Sequence, residues 1–392
     1  MIRINHLVLA ALLSLGSAAA LQAQDGRSPA QDPAAATPQE GTLGRYLKRV
    51  PELDQGGGLH LTKYFAVVFG DIKSGSGIAL GPALSVKFAD GGYAQVKAEY
   101  SLRRFRLLQA RYDSPEFLGG HALISSRVRW QDAPKLSLFQ LGPASPLQRA
   151  EFGERRTEAS LQLEATAWRV LHVTAGGGIE RYATSGGRID LAEDESLPAI
   201  PMMPGLGARP WFGHSFLSVA LDTQPSGYAR AGTVIDAGIH DFHDAHDGTY
   251  SFRRVEAGAE HLIPFGRSTV DLAARTWFSY TEAGKTVPFF LMPTLGGGDY
   301  LEAYRLYRFR DRNAAWVKGE YRFALHEFVD VAGFYEAGQV APSPGTLTLA
   351  RAAQSAGAGV IFHGKTSARL RFDVARGREG YGAAIGFSAG GS

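Results

Sequence analysis

The chain has 392 residues and nearly balanced charge, with 41 Lys and Arg against 38 Asp and Glu and a formal net charge of +3. This balance gives no argument for nucleic-acid binding. The absence of Cys excludes disulfide bonds and thiolate metal sites. The 48 Gly and a hydrophobic fraction of 45% fit a protein with many tight turns better than a helical bundle.

The N-terminal segment has the pattern of a cleaved export signal. Residues 1–23 combine a short basic start, an apolar stretch from Leu7 to Leu15, and small residues before Ala23. A start-anchor helix is the alternative, but the apolar stretch is shorter than the roughly 20 residues that span a bilayer. No later segment is long and apolar enough for a transmembrane helix. Any membrane span must therefore be made of strands.

After this signal, residues 24–56 are rich in Ala, Pro, Gln and Asp at their start and contain one short amphipathic pattern near their end. We interpret them as a periplasmic spacer with a short helix. They are too few for a folded periplasmic domain. Residues 57–392 therefore form the main domain.

That domain shows a repeated two-residue period. In residues 315–323, for example, Val317 and Tyr321 share one face, and Lys318 and Glu320 share the other. About sixteen such segments are long enough to be strands. They are residues 62–70, 77–89, 92–101, 104–113, 119–131, 156–168, 170–183, 212–223, 229–242, 250–263, 267–280, 313–323, 327–338, 353–362, 366–375 and 380–388.

The connections between these strands alternate between short and long over most of the chain. Short turns near residues 90–91, 264–266 and 324–326 alternate with long connections such as 184–211 and 281–312. Outer-membrane barrels have short periplasmic turns and long external loops, whereas a soluble β-sandwich has no reason to keep this alternation. The pattern predicts an all-β, transmembrane antiparallel β-barrel with both termini in the periplasm. We expect charged residues on its inner face to pair across a polar, wet lumen.

The C-terminal third resembles the bacterial surface-antigen barrels of the outer-membrane assembly-factor superfamily, which includes BamA, TamA and the two-partner-secretion transporters. The resemblance covers residues 295–388 most clearly and implies an in-folded extracellular loop. Three sets of residues carry it. The lumen-loop residues are Leu301, Glu302, Ala303, Tyr304, Arg305, Arg308, Phe309, Arg310 and Asp311, the loop-anchoring strand contributes Asp330, Phe334, Glu336 and Gly338, and the C-terminal strand signal comprises Tyr381, Ile385 and Phe387.

The loop motif departs from the family pattern. The family places an Arg and a Gly where this chain has Glu302 and Ala303, and an Asp where it has Glu336. At contact distance, Glu302 and Glu336 would repel each other or force one of the two to take up a proton. We therefore expect Arg305, Arg308 or Arg310 to supply the cation, with Glu336, Asp330 or Glu320 as its partner. The domains that usually precede such barrels and receive client chains are also missing.

Other chemical signals are weaker. Residues 240–247 bring His and Asp together on a predicted external loop, but their spacing matches no defined metal-ligand pattern, and a hydrated loop is the favoured interpretation. There is no Gly-x-Ser-x-Gly nucleophile motif. We therefore expect no enzyme activity and no cofactor or metal.

The resemblance implies assistance in inserting or translocating proteins or lipids at the outer membrane. The partners would be outer-membrane lipid and a periplasmic partner or client protein, and the barrel would be monomeric. A weak seam between strands 62–70 and 380–388, the latter rich in Gly and Ala, would be its physical basis, and the equal alternative is that these small residues only fit a crowded closure. The alternatives are a passive pore for small solutes and a structural surface barrel.

Overall fold

The structure, a computed structural model, describes residues 58–185, 203–225, 227–297, 300–364 and 369–388. The predicted export signal (1–23) and spacer (24–56) lie outside these residues. The three short 3-10 helices in the described part are Phe289–Leu291, Pro344–Thr346 and Leu349–Arg351. No helix of the described residues is both long enough and apolar enough to cross a membrane.

The remaining regular structure is β-strand, and each of the sixteen predicted strands has a counterpart. Three short strands were not predicted: one precedes the first predicted strand and two lie in the long loop 281–312. The strands are β1 (Gly58–His60), β2 (Phe65–Gly70), β3 (Ala79–Lys87), β4 (Tyr93–Ser101), β5 (Arg106–Asp113), β6 (Ala122–Leu138), β7 (Ala150–Ala167), β8 (Leu171–Ser185), β9 (Trp211–Asp222), β10 (Gly232–Asp244), β11 (Phe252–Phe265), β12 (Ser268–Tyr280), β13 (Thr294–Leu295), β14 (Phe309–Arg310), β15 (Asn313–His326), β16 (Val329–Ala341), β17 (Ala353–His363), β18 (Arg369–Gly377) and β19 (Gly380–Ser388).

Seventeen of these strands form one antiparallel sheet, and β13 and β14 form a separate pair. Registered pairs connect each strand of the large sheet to the next in sequence, from β1 to β19. β1 occupies the edge of β2, where Gly58, Leu59 and His60 pair with Val68, Val67 and Ala66. β19 stands next to β2 in the order of the sheet, but no register joins the described residues of these two strands.

The sheet has an apolar outer face. In β18, Phe372 and Val374 are exposed, whereas Asp373 and Ala375 between and beside them are buried on the inner face. The same alternation exposes a large apolar side chain on every strand from β3 to β19 in the large sheet: Leu84, Val96, Leu108, Val128, Leu161, Ile179, Leu217, Ile239, Val255, Leu272, Val317, Tyr335, Phe362, Val374 and Ile385. An apolar band of this extent is typical of a lipid-facing surface.

The connections differ at the two ends of the sheet, as the sequence pattern predicts. Turns at residues 168–170, 266–267 and 327–328 lie at one end, here called the short-turn end. The connection 281–312 lies at the other, here called the long-loop end. Each end has two exceptions: residues 114–121 and 223–231 are longer connections at the short-turn end, and residues 102–105 and 378–379 are short ones at the long-loop end.

The structure corrects the expected position of the His and Asp cluster. β10 continues to Asp244, so residues 240–244 belong to a strand rather than to an external loop. His240 Nδ1 lies 3.2 Å from His214 Nε2 on the neighbouring strand. Among the described residues, no group of three His, Asp or Glu side chains is placed to hold a metal ion.

The interior of the long-loop half corrects the expectation of a wholly polar lumen. Aromatic side chains at the ends of β7 to β11 turn inward and pack around the loop residues Phe289 and Phe290. Phe152 meets Phe289 edge to face at 4.8 Å between ring centroids, and Tyr182 stacks on Phe290 at 5.0 Å. This half of the interior is a packed apolar core, because the loop supplies the groups that fill it.

The interior of the short-turn half is ionic, as expected. Glu320, which is 2% exposed, accepts hydrogen bonds from Arg322 at 2.5 Å and from Arg371 at 3.0 Å. Arg371 also pairs with Asp373 at 2.6 Å. These side chains come from β15 and β18, which are not neighbours in the sheet. The charges are therefore paired across the interior, as their burial requires.

Candidate functional site

The candidate site is the inner end of the long loop, where it meets β16 to β19. β13 and β14 pair to form a small hairpin, in which Leu295 lies opposite Phe309. The chain turns at Gly296 and Gly297 with φ of +111° and +98°. A Cβ on Gly296 would meet Arg308 Cβ at 2.8 Å. Glycine is required there because side chains rarely adopt this backbone conformation and have no space in this turn.

The loop tip is bound to the sheet mainly through its backbone. The N–H of Glu302 donates to Glu336 Oε2 at 2.8 Å, and the N–H of Ala303 donates to Ser355 Oγ at 3.2 Å. The hydroxyl of Tyr304 donates to the carbonyl of Gln354 at 3.1 Å. Because Glu336 is fully buried, removing its carboxylate would leave a buried N–H without an acceptor.

Lys318, rather than a loop arginine, supplies the positive charge beside Glu302 and Glu320. Lys318 Nζ lies 3.5 Å from Glu302 Oε1 and 3.1 Å from Glu320 Oε2. Burial raises the pKa of the Glu302 carboxyl to about 7, while the charge of Lys318 opposes this shift. The expected repulsion is reduced, because Glu336 contacts the backbone of Glu302 and Lys318 lies beside its side chain, but the charge of Glu336 still adds to the rise in the pKa of Glu302.

The three loop arginines have other positions than expected. Arg308 binds Glu379 at 2.8 Å and donates to Ser145 Oγ at 2.5 Å. Arg310 donates to the carbonyl of Phe289 at 2.7 Å, within the loop itself. Arg305 is exposed. In the part of the chain that the structure describes, none of them pairs with Glu336, Asp330 or Glu320, so the expected ion pair is wrong.

The described partners of Asp330 belong to segments other than the long loop. Asp330 lies near the short-turn end and accepts hydrogen bonds from Arg230 at 2.7 Å and from the hydroxyl of Tyr228 at 2.9 Å. Tyr228 stacks on His363 at 3.8 Å between ring centroids. Tyr228 and Arg230 belong to the connection between β9 and β10. Asp330 therefore holds a second inward segment, at the opposite end from the long loop.

The other predicted residues of the loop and of its anchoring strand are buried where the long loop meets the sheet. Leu301, Ala303, Tyr304 and Phe309 are buried in one cluster with Phe334. Gly338 lies under Leu295, where a Cβ would approach Leu295 Cδ1 to 2.9 Å. Asp311 is buried at the end of the loop, and its Oδ1 accepts from the N–H of Arg312 at 2.8 Å.

The loop tip also packs against the last hairpin of the sheet. A Cβ on Gly377 would approach Tyr304 Cε2 to 2.9 Å and Ala303 Cβ to 3.1 Å. A Cβ on Gly382 would collide with the carbonyl oxygen of Glu302. The small residues of β18 and β19 therefore leave room for the loop.

This contact lies at the seam between the last strand and β2. A cavity of about 640 Å³ separates β19 and the loop residues 302–306 from the connection between β2 and β3. Tyr307 reaches past this cavity and donates to the carbonyl of Ser74 at 2.7 Å. Tyr381 and Ile385 in β19 face outward and are 74% exposed each. Phe387 belongs to β19, but its side chain lies outside the described residues.

The sequence reasoning missed Lys318, Arg230 and Ser145 as partners. Lys318 carries a detectable signal, because it lies two residues before Glu320 on the charged face of residues 315–323. Arg230 and Ser145 carry none, since each lies in a connection and acts on a residue more than ninety positions away.

Comparison with solved structures shows the fold. BamA from Haemophilus ducreyi lacking POTRA domains 1–3 matches with a TM-score of 0.60 and 14% identity, over 82% of this chain and 68% of that one. CdiB from Acinetobacter baumannii matches with a TM-score of 0.52 and 12% identity, over 79% of this chain and 56% of that one. CdiB from Escherichia coli matches with a TM-score of 0.53 and 12% identity, over 83% of this chain and 62% of that one. No protein-family model and no curated protein matches the chain.

The predicted all-β barrel fold is confirmed by this likeness, because the match extends over about four fifths of the chain. At such low identity it shows the fold alone. This chain spans 56% and 62% of the two CdiB structures and 68% of the BamA structure. The likeness alone therefore assigns no function to this protein.

Proposed function

We propose that this protein is an outer-membrane barrel that assists the insertion or translocation of proteins or lipids at the outer membrane, as assembly-factor barrels do. The proposal places it in contact with outer-membrane lipid, as a monomer, with a client or periplasmic partner protein. It involves no covalent chemistry and no cofactor.

The seam is the observation that carries the proposal. β19 and β2 share no register in the described residues, and β1 occupies part of the edge of β2. Unpaired strand edges can accept another strand. The loop tip lies against β19 at this place and reaches the connection after β2 through Tyr307. Movement of the loop would therefore change how the seam is covered.

A reversible cross-link tests this role. The chain has no Cys, so Ala303→Cys with Gly377→Cys introduces one pair, whose Cβ atoms would lie about 3.1 Å apart, slightly closer than in an ordinary disulfide. The matched control is Ala259→Cys with Ala274→Cys, which are partners within the sheet. We expect oxidation of the loop pair, and not of the control pair, to lower the levels of other outer-membrane proteins relative to the same variant in its reduced form, which is the reference because a Cβ on residue 377 already approaches Tyr304 Cε2 to 2.9 Å.

Two results would contradict the proposal. Normal levels of other outer-membrane proteins and lipids after depletion of this protein would remove the assembly role. A large, steady current through the protein in a planar bilayer would favour a passive pore instead. We expect a mostly closed barrel, because the aromatic residues around Phe289 fill the long-loop half of the interior.

A further inference from the structure

A second cleft lies on the rim of the barrel at the long-loop end. It has a volume of about 700 Å³ and lies between the connection 342–352 and the hairpin of β18 and β19. Three arginines, Arg351, Arg376 and Arg378, line it. All three are exposed. Neither the loop anchor at Glu336 nor the ionic interior involves them.

The positive charge of this cleft is not balanced by protein. Within the described residues, none of the three arginines forms an ion pair. The carboxylate in the lining, Glu379, is bound to Arg308 at 2.8 Å. Arg376 lies over the ring of Tyr381 at 5.5 Å, which leaves its hydrogen-bond donors free to point outward. Three like charges in one cleft repel each other unless an anion enters.

The position of Arg376 relates the cleft to the membrane. Arg376 follows Phe372 and Val374 on the outward face of β18, and both of these side chains are exposed. Its guanidinium therefore lies at the edge of the lipid-facing band. Tyr335 and Tyr381, also exposed, flank the same edge. Aromatic and basic side chains at this level are suited to the headgroup layer of a bilayer.

We propose that this cleft binds the phosphate-bearing headgroup of a glycolipid in the leaflet at the long-loop end. Arginine guanidiniums bind phosphate through paired hydrogen bonds, and the attraction is strengthened where the site is partly shielded from water. The exposed amide of Gln354 in the lining supplies a neutral donor and acceptor for sugar hydroxyls. The site goes beyond the assembly role, because it would bind lipid whether or not the barrel assists other proteins.

The experiment measures binding of lipid A to the full chain in neutral-detergent micelles. Phosphate-free lipid A and inorganic phosphate are tested in parallel. The test variant is Arg351→Gln with Arg376→Gln and Arg378→Gln. The control is Arg103→Gln with Arg104→Gln and Arg106→Gln, which removes the same charge from an exposed turn at the same end. Unchanged heat-modifiability of each variant on a gel shows that it folds.

We expect the cleft variant to bind lipid A about tenfold more weakly or worse, and the control variant to bind it like the unmodified chain. Removal of the phosphates from the lipid should weaken binding to the unmodified chain to a similar extent. Equal weakening in the two variants would overturn the proposal, because net charge alone would then explain it. Equal binding of phosphate-free lipid, or full competition by inorganic phosphate at the concentration of the lipid, would also overturn it.

Discussion

Two parts of the long loop are held inside the barrel by different interactions. The aromatic segment, residues 287–292, is fixed by apolar packing around Phe289. The polar segment, residues 300–311, adds hydrogen bonds and charges to β16, β17 and the last hairpin to a smaller apolar cluster around Phe334. Apolar packing responds little to salt and pH, whereas buried polar contacts depend on each partner. Loss of a polar partner should therefore loosen residues 300–308, while the aromatic packing and the hydrogen bond from Arg310 to the carbonyl of Phe289 hold the rest of the loop.

The largest effect should come from the aromatic segment. Phe289 is fully buried and packs edge to face on Phe152. Phe289→Ala removes a large side chain from a packed core and should lower the free energy of unfolding by about 3–5 kcal/mol. The measurement is urea unfolding in detergent or lipid vesicles. The loss should change little between low and high salt.

A lipid-facing phenylalanine provides the control for this variant. Phe362 lies on the outer face and is 42% exposed. Phe362→Ala leaves no cavity in the interior, so it should cost much less than Phe289→Ala. Equal costs for the two variants would show that the aromatic segment contributes no packed core.

The next effect concerns the polar segment. Glu336→Ala removes the acceptor of the Glu302 N–H and should cost about 1–3 kcal/mol. It should also make residues 300–308 accessible to protease. Glu336→Gln keeps an acceptor oxygen at this position and should retain most of the protection. If Glu336→Ala leaves the loop as resistant as in the unmodified chain, the anchor described at this residue does not hold it.

Much of the fold could be predicted from the sequence, because a strand reveals itself by local alternation. The period of two in residues 315–323 predicts both the strand and the shared side of Lys318 and Glu320. The loop was also predictable, since its flanking strands are clear and residues 295–312 contain a glycine turn. The predicted strand boundaries were wrong where a strand extends beyond the length needed to cross a membrane, as β6 and β7 do.

The contacts of the loop could not be predicted in the same way. Arg308 binds Ser145 and Glu379, which lie in connections far from it in sequence. Phe152 lies before the predicted strand 156–168, so the alternation says nothing of it, and for Phe212 in the predicted strand 212–223 the alternation does not say whether water or a loop will meet the side chain. Only the folded position of residues 287–292 decides that. The departure from the family motif was visible, whereas its replacement by backbone hydrogen bonds to Glu336 was not.

A smaller effect is expected at the opposite end of the barrel. Arg230 is 32% exposed on its side chain and binds the fully buried Asp330. A double-mutant cycle with Arg230→Gln and Asp330→Asn should give a coupling of about 1 kcal/mol, reduced by salt because Arg230 is partly exposed. The exposed pair Arg253 and Asp241, at 60% and 46%, is the control and should give almost none. Equal coupling in the two pairs would contradict a specific contact at Asp330.

The last effect is a change with pH in the docking of the polar segment. Burial raises the pKa of Glu302 to about 7, from an ordinary value of 4.5 in the released loop, so the docked state binds the proton more tightly. Docking is therefore strongest below pH 4.5 and weakens as the pH rises toward and through 7. Protease cleavage in residues 300–308 should be faster at pH 8.5 than at pH 5.5. The Glu302→Gln variant cannot ionise at this position, so its cleavage rate should vary between these two pH values only as the activity of the protease does. If the ratio of the cleavage rates at pH 8.5 and pH 5.5 is the same in this variant and in the unmodified chain, Glu302 is not the cause of the change.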